Sequence, residues 1–225
     1  MFLLGDTHGR YEKVQSACQT VRKEKLIILG DFGFVFHKLV DGDNLERLSK
    51  LPSTILFLDG NHENFPALEE FPKIKKFGGT VSKLAKNVFW LRRGQVYCID
   101  GYKVLTIGGA FSIDKGRRAP GVSWWGEENL SCEEIEYTLK NIDANKVVDF
   151  VLTHTCPTSI INKMNLSFSS KLKDSNAEFF ESILTDGKLS FCHWYFGHFH
   201  EDLKIDDKFT CVNKELIEIK PKSKL

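Results

Sequence analysis

The sequence lacks an excess of either charge: 31 Lys and Arg face 30 Asp and Glu, a formal net charge of +1 at pH 7. No strong field is therefore available to draw in nucleic acid or an anionic membrane. No CxxC pair occurs among the six scattered cysteines, and a chain of 225 residues buries a full core without staples. The cysteines read as reduced thiols, several of them in the core. No run is long and apolar enough to span a bilayer. A secretory leader is not expected where a first strand starts at Met1 and reaches a polar cluster by Asp6. Together these point to a cytoplasmic protein. No repeat, low-complexity linker or second-domain boundary interrupts the chain. Residues 1–220 read as a single domain and 221–225 as a Lys-rich tail.

What the chain does have is a recurring event. Five apolar, strand-like runs each end on a polar, metal-capable cluster. Residues 1–4 lead into Gly5-Asp6-Thr7-His8-Gly9, and 26–29 into Gly30-Asp31. Residues 55–58 precede Gly60-Asn61-His62-Glu63, 150–152 precede Thr153-His154, and 194–196 precede Gly197-His198-Phe199-His200. In an extended chain residues i and i+2 share a side, so Asp6 with His8, and His198 with His200, can aim at one spot. Ligands of open α/β sheets gather beyond the carboxyl ends of the strands. One shared cluster accounts for all five.

Between these runs the pattern alternates. Residues 10–23 and about 44–51 read as helices between strands at 1–5, 26–29 and 54–58, an α/β arrangement. From Lys73 the texture turns β-rich, with Asp100-Gly101 as a hairpin turn. A long polar stretch, 111–129, holds Arg117, Arg118, Trp124 and Trp125. Capping boxes at Ser131/Glu134 and Ser175/Glu178 open two further helices. Strands at 203–205, 209–212 and 216–219 read as a closing antiparallel meander. Glu63 reads as the start of a helix, and Cys156 as a buried, inert thiol.

Asp6, His8, Asp31, Asn61, His154, His198 and His200 bring carboxylates, imidazoles and a carboxamide, which suit Mn, Fe or Zn. The lack of cysteine among them argues against a closed structural zinc site. Seven groups exceed one four-coordinate ion but fit two if a carboxylate bridges them.

The ordered pattern Asp-x-His, Gly-Asp, Gly-Asn-His-Glu, His, Gly-x-His-x-His resembles the calcineurin-like metallophosphoesterase superfamily, from Asp6 to His200. The resemblance implies a four-layer α/β/β/α sandwich of two mixed sheets flanked by helices. It implies that Asp6, His8, Asp31 and His200 hold one divalent ion, that Asn61, His154 and His198 complete a second, and that Asp31 bridges. It further implies in-line attack on phosphorus by a metal-bridging hydroxide, with His62 assisting the leaving group. The second motif departs from the phosphoprotein phosphatase branch, which has Gly-Asp-x-x-Asp-Arg-Gly. Here Gly30-Asp31 runs into Phe32-Gly33-Phe34-Val35-Phe36, without the Asp-Arg pair. The aromatic residues suit a base, a ring or a wall of the core. The expected substrate is a small phosphate ester, a phosphodiester or nucleotide before a phosphoprotein. Phosphomonoester or phosphoprotein hydrolysis, and a catalytically silent metal-binding scaffold, are the alternatives. Arg117 and Arg118, or Arg10, are candidates for the phosphate-binding arginine. His37 and His193 lack the strand-end position and are not expected to bind metal.

Overall fold

The apolar runs fold as strands that stop where the polar clusters begin. Phe2–Leu4 (β1), Lys25–Leu29 (β2) and Thr54–Leu58 (β3) pair in parallel. They are followed by Lys73–Lys76 (β4), Gly79–Lys83 (β5) and Val88–Leu91 (β6). Gln95–Ile99 (β7) and Tyr102–Ile107 (β8) form the Asp-Gly hairpin. Val147–Thr153 (β9), Ser190–Phe196 (β10), Leu203–Lys204 (β11), Phe209–Cys211 (β12) and Ile217–Glu218 (β13) complete the strands. The computed structural model describes residues 1–36, 38–165 and 174–220. His37 and the 221–225 tail lie outside the described residues.

Two mixed sheets result. One runs β13-β1-β2-β3-β6-β5-β4 and the other β11-β12-β10-β9-β8-β7. The alternation of side chains along β2 and β3 sets the layers. Ile27, Leu29, Leu56 and Leu58 pack with Tyr97, Val104 and Leu152 of the second sheet. Their neighbours Leu26, Ile28, Ile55 and Phe57 face the other way, onto Val14 and Cys18 of Tyr11–Val21 (α1) and Leu48 of Lys38–Ser49 (α2). On the outer face of the second sheet, Leu105, Val151 and Trp194 meet Ile142 of Cys132–Asn145 (α4), Ile160 of Thr158–Lys163 (α5) and Phe180 of Ser175–Asp186 (α6). The short helix α3 is Phe65–Glu69. Two mixed sheets flanked by helices are the four-layer arrangement expected. Each fully buried Leu, Ile or Phe contributes about 1.5–3 kcal/mol to it.

Several local expectations need correction. Helix α2 begins at Lys38 rather than near Asn44, and α3 and α5, at five and six residues, are too short for a periodic signal. The cap of α6 is Asp174, whose side chain accepts the N–H groups of Asn176 and Ala177. A carboxylate one residue earlier takes the place expected for Ser175. The C-terminal strands are not a meander. β12 pairs in parallel with β10, whereas β13 crosses to the other sheet and pairs with β1. Glu63 does not open a helix; it is fully buried, and Asn64 caps α3. Phe32 and Phe34 are fully buried, with Phe32 stacked 4.0 Å from Phe57, so the aromatic loop walls the core.

Candidate metal centre

The carboxyl ends of β1, β2, β3, β9 and β10 converge, and backbone contacts lock their loops together. The Asp31 carbonyl accepts N–H groups from Thr7 (3.1 Å) and His8 (2.7 Å). Gly197 N–H donates to the His154 carbonyl at 2.9 Å. His8, Asp31, His198 and His200 all have positive φ, between 46° and 69°. Non-glycine residues in this region cost energy and cluster where side chains must be aimed. Glycine is required beside them: a Cβ on Gly30 would meet the His154 ring at 2.0 Å, and one on Gly60 would meet Asp31 Oδ1 at 2.0 Å.

The side chains of Asp6, His8, Asp31 and His200 each place a donor atom within 4.8 Å of the others. His200 Nε2 is 3.0 Å from Asp6 Oδ2 and 3.0 Å from His8 Nε2, which lies 3.7 Å from Asp31 Oδ2. Asp6 Oδ2 is buried and makes no geometrically sound hydrogen bond among the described residues. An orphaned carboxylate oxygen facing two imidazole nitrogens is an environment that suits a divalent cation.

A second group forms on the other oxygen of Asp31. His154 Nε2 lies 3.4 Å from Asp31 Oδ1 and 3.1 Å from Asn61 Oδ1. His154 Nδ1 is 2.8 Å from the Leu29 carbonyl, so it carries a hydrogen there. In neutral His154 the Nε2 lone pair then faces two oxygens, and the Leu29 carbonyl fixes the tautomer and ring orientation as in a metal-binding histidine. His198 packs edge-on against His154, with ring centroids 5.0 Å apart, and its N–H donates to Asp6 Oδ1 at 3.1 Å.

The protonation balance reflects this crowding. Burial pushes Asp31 up, and the imidazoles around it, His154 first, reverse this and hold it well below the usual carboxylate range. Burial works against a charged His154, but the Asp31 carboxylate raises it to about 10. Burial and then the His154 charge push His198 down to about 3. The donor set, the orphaned oxygen and the hydrogen-bonded Nδ1 all fit divalent ions.

His62 stands at the edge, its N–H donating to Asp31 Oδ1 at 2.8 Å and its ring 5.4 Å from that of His8. A cleft of about 360 Å³ opens here, lined by Asn61, His62, Ile113, Asp114, His198 and His200 among others. Arg118 meets His62, Nη2 lying 2.7 Å from His62 Nδ1. Arg117 and Arg10 are exposed and do not line the cleft. Trp125 is buried against Phe36 and anchors the 111–129 segment. His193 lies on β10, 2.9 Å from Thr210 Oγ1, and Cys156 is buried, its thiol pushed well up by burial.

Sequence reasoning passed over the supports. Asn213 Nδ2 donates to the His200 carbonyl (2.6 Å), and Asn213 N–H to Asp202 (2.7 Å). Glu63 accepts the Phe32 N–H at 2.6 Å and fixes the turn after Asp31. Asp59 and Arg93 form a buried ion pair at 2.7 Å, and Arg93 Nη2 also holds the Glu127 carbonyl (2.7 Å). The apolar run before Asp59 was a signal for its burial, but its partner 34 positions away was not visible.

Among known proteins, the chain is 23% identical over 254 residues to the lariat debranching enzyme of Schizosaccharomyces pombe (strain 972 / ATCC 24843). The match takes in 94% of this chain but 52% of the relative, so the chain spans about half the length of that protein. No family model matches the chain. No helix among the described residues is long and apolar enough to cross a membrane.

Proposed function

We propose that this chain is a metal-dependent phosphoric ester hydrolase with a two-ion centre, acting on phosphodiesters or nucleotides in preference to phosphomonoesters. The observation that carries the reading is the position of Asp31, with Oδ2 toward His8 and Oδ1 toward His154. Asp6, His8, Asp31 and His200 would hold one ion, and Asp31, Asn61, His154 and His198 the other. When bound, Mn, Fe or Zn ions would supply a water-derived nucleophile near neutral pH and neutralise phosphoryl charge.

The chain's own residues do the rest. Asp31 holds the His62 backbone and so sets the ring at the cleft edge. Arginine only donates, so His62 Nδ1 accepts from Arg118 and the imidazole proton sits on Nε2. That proton is available to a departing oxygen. The guanidinium of Arg118 stands beside it, where an N–H not given to His62 or Ser112 can donate to a phosphoryl oxygen. This segment supplies the arginine that the second motif lacks.

The preference for diesters is supported by the missing Asp-Arg pair and by similarity to a relative named for debranching lariats. The test is turnover of bis-p-nitrophenyl phosphate against p-nitrophenyl phosphate in Mn, Fe or Zn, with Asn61→Ala as control. Faster metal-dependent diester cleavage supports the reading. Monoester preference overturns the substrate assignment, and inactivity with both ions bound points to a silent scaffold.

A further inference from the structure

Ser112 carries a hydroxyl with three polar neighbours. It is buried, and its Oγ lies 3.0 Å from Asn61 Nδ2, 3.2 Å from Arg118 Nη1, and within hydrogen-bond distance of Glu128 Oε2. Glu128 is fully buried, and its other oxygen accepts the Ser112 N–H at 3.0 Å. The backbone around Glu128 is pinned as well. Its carbonyl accepts Asn176 Nδ2 at 3.0 Å, and the preceding carbonyl accepts Arg93.

The direction of donation follows from what each group has. A carboxylate only accepts, so the one hydroxyl proton of Ser112 goes to Glu128. The two lone pairs of Oγ are then left for donors, and Arg118 takes one. The side chain of Asn61 must present its NH₂ to the other. With Nδ2 so engaged, Oδ1 is turned toward His154 Nε2, 3.1 Å away. A flipped amide would put a nitrogen among the donors of the second group and an oxygen against a lone pair of Ser112.

We propose that the buried Glu128–Ser112 pair is a positioning device that locks the Asn61 amide with its oxygen toward His154 and Asp31. The 111–129 segment thereby sets the ligand field of one half of the centre. The same hydroxyl holds Arg118, so the orientation of Asn61 and the placement of the guanidinium beside His62 are coupled. The proposal rests on the reading of the site as a two-ion centre.

The experiment is calorimetric titration of metal-free protein with Mn²⁺, backed by elemental analysis. Wild type is expected to take two ions. Ser112→Ala and the isosteric Glu128→Gln are expected to keep one and to weaken the second by about 10–100-fold. In Glu128→Gln the new amide can donate to Ser112, so either Asn61 orientation becomes compatible. Ser112→Thr, which keeps the hydroxyl, restores binding. In an Asn61→Asp background, where either face presents oxygen, Ser112→Ala has no further effect on the second ion. A merely structural role for Ser112 would act alike in both backgrounds. Two wild-type-like ions in both Ser112→Ala and Glu128→Gln overturn the positioning role and leave the metal centre standing. Failure of the wild type to bind two ions overturns the two-ion reading itself.

Discussion

Arg118 Nη2 lies 2.7 Å from His62 Nδ1, joining the 111–129 segment to the Gly60-Asn61-His62-Glu63 motif. On the proposed reading, the pair would put the guanidinium near both the leaving group and the phosphoryl oxygens. Replacing Arg118 with Ala is expected to lower kcat/KM for a diester by about 10–100-fold, the worth of one charge-assisted hydrogen bond. Metal content should stay unchanged. Arg117→Ala, at an exposed position off the cleft, should have little effect. Steady-state kinetics with elemental analysis of both variants checks this.

His62 acts through its Nε2 proton in this account, so its loss depends on how much help the leaving oxygen needs. His62→Asn is expected to reduce kcat by about 10²–10⁴-fold while both ions remain bound. The loss should be larger for an alkyl ester than for a p-nitrophenyl ester, whose leaving group departs unaided. Equal losses for the two substrates would remove His62 from the acid role.

The ion pair of Asp59 and Arg93 lies under the same loops, with Trp90 Nε1 also donating to Asp59 at 2.9 Å. Arg93→Ala leaves a buried carboxylate uncompensated and is expected to cost about 3–5 kcal/mol in urea unfolding. The Asp59→Ala, Arg93→Ala double variant should cost less than the sum of the singles.

The layers and the metal-capable residues were legible because they are local. Runs such as 26–29 followed by Gly30-Asp31 announce a buried strand and a polar end in adjacent positions. What was not legible depends on distant pairing. Nothing in residues 216–219 tells that β12 is taken on both sides, by β10 and β11, and that β13 joins β1 instead. Nothing in the sequence sets Ser112 and Glu128 apart within the polar stretch 111–129; their burial, and the contact of Ser112 with Asn61, do. Arg10, Arg117 and Arg118 were alike in the sequence, and the turn at Lys115–Arg117 decides which reaches His62.

Glu63 offers a pH test on metal-free protein. Burial, then the nearby Asp31 charge, raises it from the ordinary value of 4.5 to about 8. The folded state thus keeps a proton that the unfolded chain loses near 4.5, and this group's stabilisation is lost as pH rises toward 8. Glu63→Gln has no such proton to lose. Relative to wild type, its stability should improve between pH 5 and 8 by roughly 1.4 kcal/mol per pH unit at most. Urea unfolding of both proteins in chelator across this range checks it, and parallel curves would contradict it.

A two-ion centre requires Asp31 to serve both donor groups at once. Elemental analysis after Mn²⁺ reconstitution and gel filtration tests this directly. Two ions per chain are expected for the wild type, about one for His154→Ala, and close to none for Asp31→Ala. A wild type without stoichiometric ions, or an Asp31→Ala variant that retains two, would contradict it.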